Sequence, residues 1–187
     1  INPFQFEEDR SSIFTYDNSL RPYKGGVVYQ KNMTDTVFFV NQGSLQPLLT
    51  YDFGRDWVWN IDEIASNPLA RREATMSGTH VWRTSSMISP DYVFMNFKGG
   101  SESFKYVFID RAVGEPKVVD LRRSAEKSYA LSPILWDDDR LIFSLRSTDL
   151  EEFLGDLKDV STTFRKGTTL DEMESSENPV LVWVKFK

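Results

Sequence analysis

Asp137-Asp138-Asp139 sets three carboxylates in succession, an arrangement that could offer hard oxygen ligands to a calcium ion. Calcium loops space their ligands and include a glycine, and this run does neither, so a solvated turn is its plainer reading. Asp52, Asp56, Asp62, Glu63, Asp91 and Asp110 all fall near the ends of apolar runs, where a pair in one cleft could do acid and base work. With 28 acidic residues in the chain, that placement is expected by chance. His80 is the single histidine and could act as a lone base or ligand, but no second imidazole or thiolate exists to complete a site. No Gly-x-Ser-x-Gly elbow occurs, and Gly25-Gly26 and Gly99-Gly100 lack the spacing of a phosphate cradle. No catalytic residue is assigned.

Aromatics offer the better binding chemistry. Trp57 and Trp59 stand two apart after Gly54, and on an extended segment they would project to one side and stack on a sugar or grip a peptide. Tyr92 is a third candidate, with Tyr23 and Trp82 weaker ones; the competing reading is that these large rings are buried. Asn32-Met33-Thr34 fits a glycosylation sequon. The pairs Arg71-Arg72 and Arg122-Arg123 are too short for basic tracts and read as solvated loops.

The elements that must position these residues read as strands. Short runs rich in Val, Ile, Phe, Tyr and Trp are separated by Gly, Pro, Asn, Asp and Ser. They fall into three groups. The first comprises 12–16, 26–30, 36–40 and 45–53, with Asn41-Gln42-Gly43-Ser44 suited to a tight hairpin. The second comprises 80–88, 92–97, 104–110 and 116–121. The third shows only three runs, 132–136, 140–145 and 180–186. Between the first two groups, residues 59–65 read as a helical turn with Asn60 as N-cap, stopped by Asn67-Pro68. Leu150, Phe153, Leu154 and Leu157 form the apolar stripe of a short helix, and 161–178 reads as a loop with local helix.

Composition bounds the function. The 187 residues carry a net charge of −6, which disfavours nucleic acid as a partner. Cysteine is absent, excluding thiolate catalysis and cysteine-based metal sites. No run approaches the ~20 apolar residues of a transmembrane segment. The expected fold is all-β. Four-stranded antiparallel sets recurring along the chain suggest β-propeller blades, about 12–53, 80–121 and 132–186, and residues 1–187 read as one propeller portion with one short helix.

Four segments carry a resemblance to a known family: Asp35-Thr36-Val37-Phe38 with Leu45-Gln46-Pro47 and Tyr51-Asp52-Phe53-Gly54; Tyr106-Val107-Phe108-Ile109-Asp110-Arg111; Ser132-Pro133-Ile134 with the acidic turn and Arg140-Leu141-Ile142; and Glu177-Asn178-Pro179-Val180-Leu181-Val182. In these the chain resembles the C-terminal half of six-bladed β-propeller (lipo)proteins of unknown function from the cell envelope of gut-type Gram-negative anaerobes. The resemblance implies a periplasmic or outer-membrane location and a chain about twice this long. The missing blades would come from the remainder of that chain or from a second copy. The opening Ile1-Asn2-Pro3-Phe4, with no leader, is read the same way, as part of a longer polypeptide. The expected function is a non-catalytic binding or scaffold module whose loops contact a glycan, peptide or partner protein. The rival is a propeller hydrolase or lyase using a carboxylate cluster, with calcium in the central channel; otherwise no cofactor is expected, and Asp137, Asp138 and Asp139 remain the candidate metal ligands in their own turn.

Overall fold

The computed structural model describes residues 19–31, 33–77, 80–99, 104–121, 129–157 and 160–186. The chain is all-β with short helices, its strands arranged as three antiparallel sheets of four, four and three strands. It divides after Val118 into two compact units.

In the first unit, β1 (Ser19–Tyr23), β2 (Gly26–Gln30), β3 (Thr36–Asn41) and β4 (Ser44–Thr50) form a meander in chain order. Its two outer hairpins are closed by two-residue turns. Lys24 and Gly25 have φ of 43° and 74°, and Gln42 and Gly43 have 47° and 76°. Both residues of each turn are left-handed, the geometry whose twist matches the flanking strands and which glycine adopts without a Cβ penalty. The first strand differs from expectation. It is Ser19–Tyr23, a segment interrupted by Pro22, whereas the run at 12–16 lies outside the described residues. The fourth strand ends at Thr50, short of Phe53.

Gly26 is required for a different reason. A Cβ built there would lie 2.5 Å from the Val40 carbonyl oxygen and 2.7 Å from the Phe39 ring. Gly26→Ala is therefore expected to lower stability by about 1–3 kcal/mol, the usual cost of forcing volume into a packed site. A urea midpoint equal to wild type would refute this.

The second sheet runs β5 (Val81–Ile88), β6 (Tyr92–Gly99), β7 (Lys105–Asp110) and β8 (Pro116–Val119), again in chain order. It packs on the first through Tyr23, Val28, Val37, Tyr51, Ile88, Val93, Met95 and Val107. This is the layer that one sheet alone could not bury.

Two helices separate these sheets in sequence, α1 (Asp62–Ser66) and α2 (Pro68–Ser77). Asn60 does not cap α1. The cap position is Ile61, with no side-chain hydrogen bond. Asn67-Pro68 does end α1, but it also starts α2: the Asn67 Oδ1 accepts from the backbone N–H groups of Leu69 at 3.0 Å and Ala70 at 3.4 Å. Pro68 takes the first helical position, where its missing N–H costs nothing. Arg72 consequently stands on an exposed helix face and not in a loop, while Arg122-Arg123 lies outside the described residues. Val58, Ala74 and Trp82 form a small separate core beneath the helices.

The second unit holds β9 (Ser132–Asp137), β10 (Arg140–Leu145) and β11 (Val180–Val184), ordered β11-β10-β9. This sheet has three strands, at the three runs read from the third group, one short of a four-stranded blade. Leu141, Phe143 and Leu145 alternate onto one fully buried face. The helix α3 (Leu150–Asp156) follows, burying Leu150 and Phe153 from the expected stripe. Tyr129 meets Phe153 edge-on at 5.2 Å. Within the polar segment, α4 (Leu170–Glu174) is fixed by a full capping box between Thr169 and Glu172. Among the described residues, no helix is long and apolar enough to cross a membrane.

Candidate binding surface

The three aromatics singled out from the sequence are not gathered into one platform. The Trp57 segment is not extended: short 3-10 turns at Gly54–Asp56 and Val58–Asn60 flank it, so the i, i+2 argument does not apply. Trp57 is 3% exposed and stacks on Phe53 at 5.5 Å. Trp59 is half-buried, its indole N–H donating to the Trp82 carbonyl at 2.8 Å. Tyr92 is half-buried and tilted against Phe108 at 5.5 Å. Tyr23 and Trp82 belong to the core.

The carboxylates are distributed into turns. Asp52 Oδ1 accepts from the Gly54 N–H at 2.8 Å, and Asp110 Oδ1 from the Ala112 N–H at 2.9 Å. These are local loop-closing bonds, as short acidic side chains make. Of the sequon, Asn32 lies outside the described residues. His80 precedes β5, with Nδ1 buried and unbonded. Among the described residues, no three His, Asp or Glu side chains are grouped as they would be around a metal ion.

The acidic turn is opened out in the same way. Asp138 takes a left-handed φ of 52° between β9 and β10. Asp137 Oδ2 accepts from the Trp183 indole N–H at 2.9 Å, while Asp139 pairs with Lys185 and lies 3.9 Å from Arg140. Each of these two carboxylates is thus committed to its own partner. The Lys185 hydrogen bond is the main cause holding the Asp139 carboxyl below its ordinary range. A depressed carboxylate contributes stability above its unfolded-state pKa and loses it as pH falls through the lowered value. Asp139 is solvent-screened, so the contribution is small. Lys185→Met should raise the Asp139 pKa back toward that of a free side chain in an NMR titration; an unmoved pKa would show that Lys185 is not the cause.

Trp183, which the sequence reading passed over, is the centre of the more suggestive surface. Strand alternation turns Trp183 away from the buried Phe143 face, in register with Ile142 and, through it, Leu135. The Arg165 guanidinium lies over its ring at 4.1 Å. That is a close cation–π stack, with an indole N–H held by Asp137 at one edge. Leu135 and Phe164 add exposed apolar area. Arg165 and Asp137 are both exposed, so the guanidinium that covers the ring and the carboxylate at its edge are the groups this surface turns to solvent for stacking, donation and acceptance.

No protein-family model matches the chain, and no curated protein sequence does either. Among solved structures, the fold is similar to that of a Bacteroides fragilis protein described as exported, with a TM-score of 0.55 and 15% identity. The match covers 90% of this chain and 49% of the other, so the chain spans about half that protein's length.

Proposed function

We propose that this chain is part of an exported, non-catalytic binding or scaffold module of the cell envelope. The observation that carries the reading is the Trp183, Arg165 and Asp137 surface on the third sheet. It offers a ligand stacking and hydrogen bonding, with its one carboxylate, Asp137, already accepting from the Trp183 indole. The likeness to half of an exported Bacteroides protein supports the location and is in keeping with the resemblance to gut-anaerobe envelope proteins. On this reading the three meanders are blades of a six-bladed propeller, completed by the rest of a longer chain or by a second copy. The ligand is a glycan, a peptide or a partner protein, and the partly exposed rings of Trp59 and Tyr92 are secondary contact candidates.

Panels of immobilised glycans and peptides test this. A ligand retained by the wild type should bind Trp183→Ala or Arg165→Ala about 30-fold more weakly, the ~2 kcal/mol of an aromatic or arginine hot spot. Unchanged affinity in both variants would overturn the assignment of the surface. Turnover of a bound glycan would overturn the non-catalytic reading in favour of a hydrolase or lyase.

A further inference from the structure

The second sheet has a face that the first sheet does not use. Thr84 and Ser86 of β5 meet Gln30 on β2, so strand alternation turns Arg83, Ser85 and Met87 the opposite way. Register extends each of these three into a row across β6 and β7. Met87 pairs with Phe94 and Phe94 with Phe108, all buried. Ser85 pairs with Asn96 and Asn96 with Tyr106, all half-buried. Arg83 pairs with Lys98, and the Arg83 guanidinium and the Lys98 Nζ each lie 5.6 Å from the centre of the Phe104 ring. Apolar, neutral polar and cationic rows thus follow one another along a single face.

The two outer rows are built for a polar ligand. Like charges directly opposite one another cost stability, and Arg83 and Lys98 stand so in a chain whose net charge is −6. The Phe104 ring, with Trp82 at 5.7 Å from the Lys98 Nζ, offsets part of that cost. An anion held by both cations would offset more. In the middle row, the Ser85 hydroxyl, the Asn96 side-chain amide and the Tyr106 hydroxyl make no hydrogen bond among the described residues. Burial raises the Tyr106 phenol above its ordinary ionisation range, so it stays a neutral donor. Side chains half withdrawn from water with their bonding capacity unspent are the groups that fix a ligand's orientation.

We propose that this face of β5, β6 and β7 binds an acidic saccharide, with its carboxylate or sulfate on Arg83 and Lys98 and its ring hydroxyls on Ser85, Asn96 and Tyr106. The middle row crosses two strand spacings, about 10 Å, which suits one or two sugar rings. Sugar hydroxyls both donate and accept, matching a hydroxyl, an amide and a phenol set side by side. The site lies wholly within the first unit and does not rest on the Trp183 surface.

Titration calorimetry on the 187-residue chain tests it, with digalacturonate and sulfated lactose as acidic probes, lactose as the neutral one and inorganic sulfate as the bare anion. An acidic probe should bind about 10-fold more tightly than lactose and lose affinity as salt rises; which of the two binds distinguishes a carboxylate from a sulfate. Lys98→Met should weaken that probe about 10-fold while leaving the urea midpoint unchanged or higher, because it relieves the like-charge pair. Asn96→Ala should weaken it as well, and Trp183→Ala should not. Failure of both acidic probes to bind, or binding indifferent to Lys98→Met, would overturn the proposal. Inorganic sulfate binding as tightly as sulfated lactose would reduce the site to an anion hole and overturn the saccharide. Loss of binding in Trp183→Ala alone would move the ligand to the third sheet and overturn it too, while leaving the Trp183 reading intact.

Discussion

Phe94→Ala should cost about 3–5 kcal/mol of stability, the range for truncating a buried aromatic. Phe94 sits on β6, a central strand of the second sheet, is 1% exposed and stacks on Tyr106 at 5.9 Å. Alanine there removes both the transfer free energy of the ring and a partner face, and the hydrogen-bonded strands on either side restrain collapse into the space. Denaturant unfolding followed by tryptophan fluorescence measures it. A loss below about 1 kcal/mol would mean that β6 can relax and that the core is looser than the structure indicates.

Gln30→Ala should cost on the order of 3 kcal/mol, through a different mechanism. Gln30 is buried on β2 and ties the two sheets of the first unit together: its Nε2 donates to Thr84 Oγ1 at 2.8 Å, and its Oε1 accepts from Ser86 Oγ at 2.7 Å. Thr84 in turn donates to the Thr34 carbonyl at 3.0 Å. Alanine strands the Ser86 hydroxyl inside the interface, and an unsatisfied buried donor is dearer than the bond it lost is valuable. The control is the apolar triple variant Gln30→Met, Thr84→Val, Ser86→Ala, which removes all three polar partners and should come within about 1 kcal/mol of wild type. If the triple variant loses as much as Gln30→Ala, the cost lies in packing and not in orphaned polarity.

Tyr51 adjoins this network and behaves oppositely. Its hydroxyl is buried beside Ser86 without forming a hydrogen bond of acceptable geometry. Burial pushes the phenol well above its ordinary ionisation range, and the nearby Ser86 hydroxyl and Arg111 guanidinium offset that only in part. Tyr51→Phe removes an unpaired buried polar atom and should leave stability unchanged or higher. A loss above about 1 kcal/mol would indicate that the hydroxyl is bonded in solution.

The strands were legible because their apolar runs are long and well punctuated. Residues 26–30, 36–40, 92–97 and 140–145 fall on β2, β3, β6 and β10, and the Gln42-Gly43 turn was readable from its glycine. Ser19–Tyr23 was not, because one leucine and one tyrosine around Pro22 make a weak pattern; its strand state comes from pairing with β2. The helix α2 was hidden by an ambiguity in Asn67-Pro68. The same dipeptide that stops one helix is a good start for the next, and only the two bonds to Asn67 decide. The Trp57 pair misled because periodicity says nothing of a turn that Gly54, with φ of 57°, makes available. The Trp183 surface depends on Arg165 arriving from a polar segment that carries no periodic signal.

The strand order also says something about time. Nearly every neighbouring pair of strands is joined by a short turn, so most of each sheet can zip from local hairpins in microseconds. The exception is β11, which reaches β10 only after residues 146–179 have been passed over. Closing that long excursion carries an entropy cost that the hairpins avoid. Within its sheet, β11 is therefore expected to be the last strand to be laid down and the first to lift off. During synthesis, the β9-β10 hairpin waits with one edge of β10 open until residues 180–184 emerge.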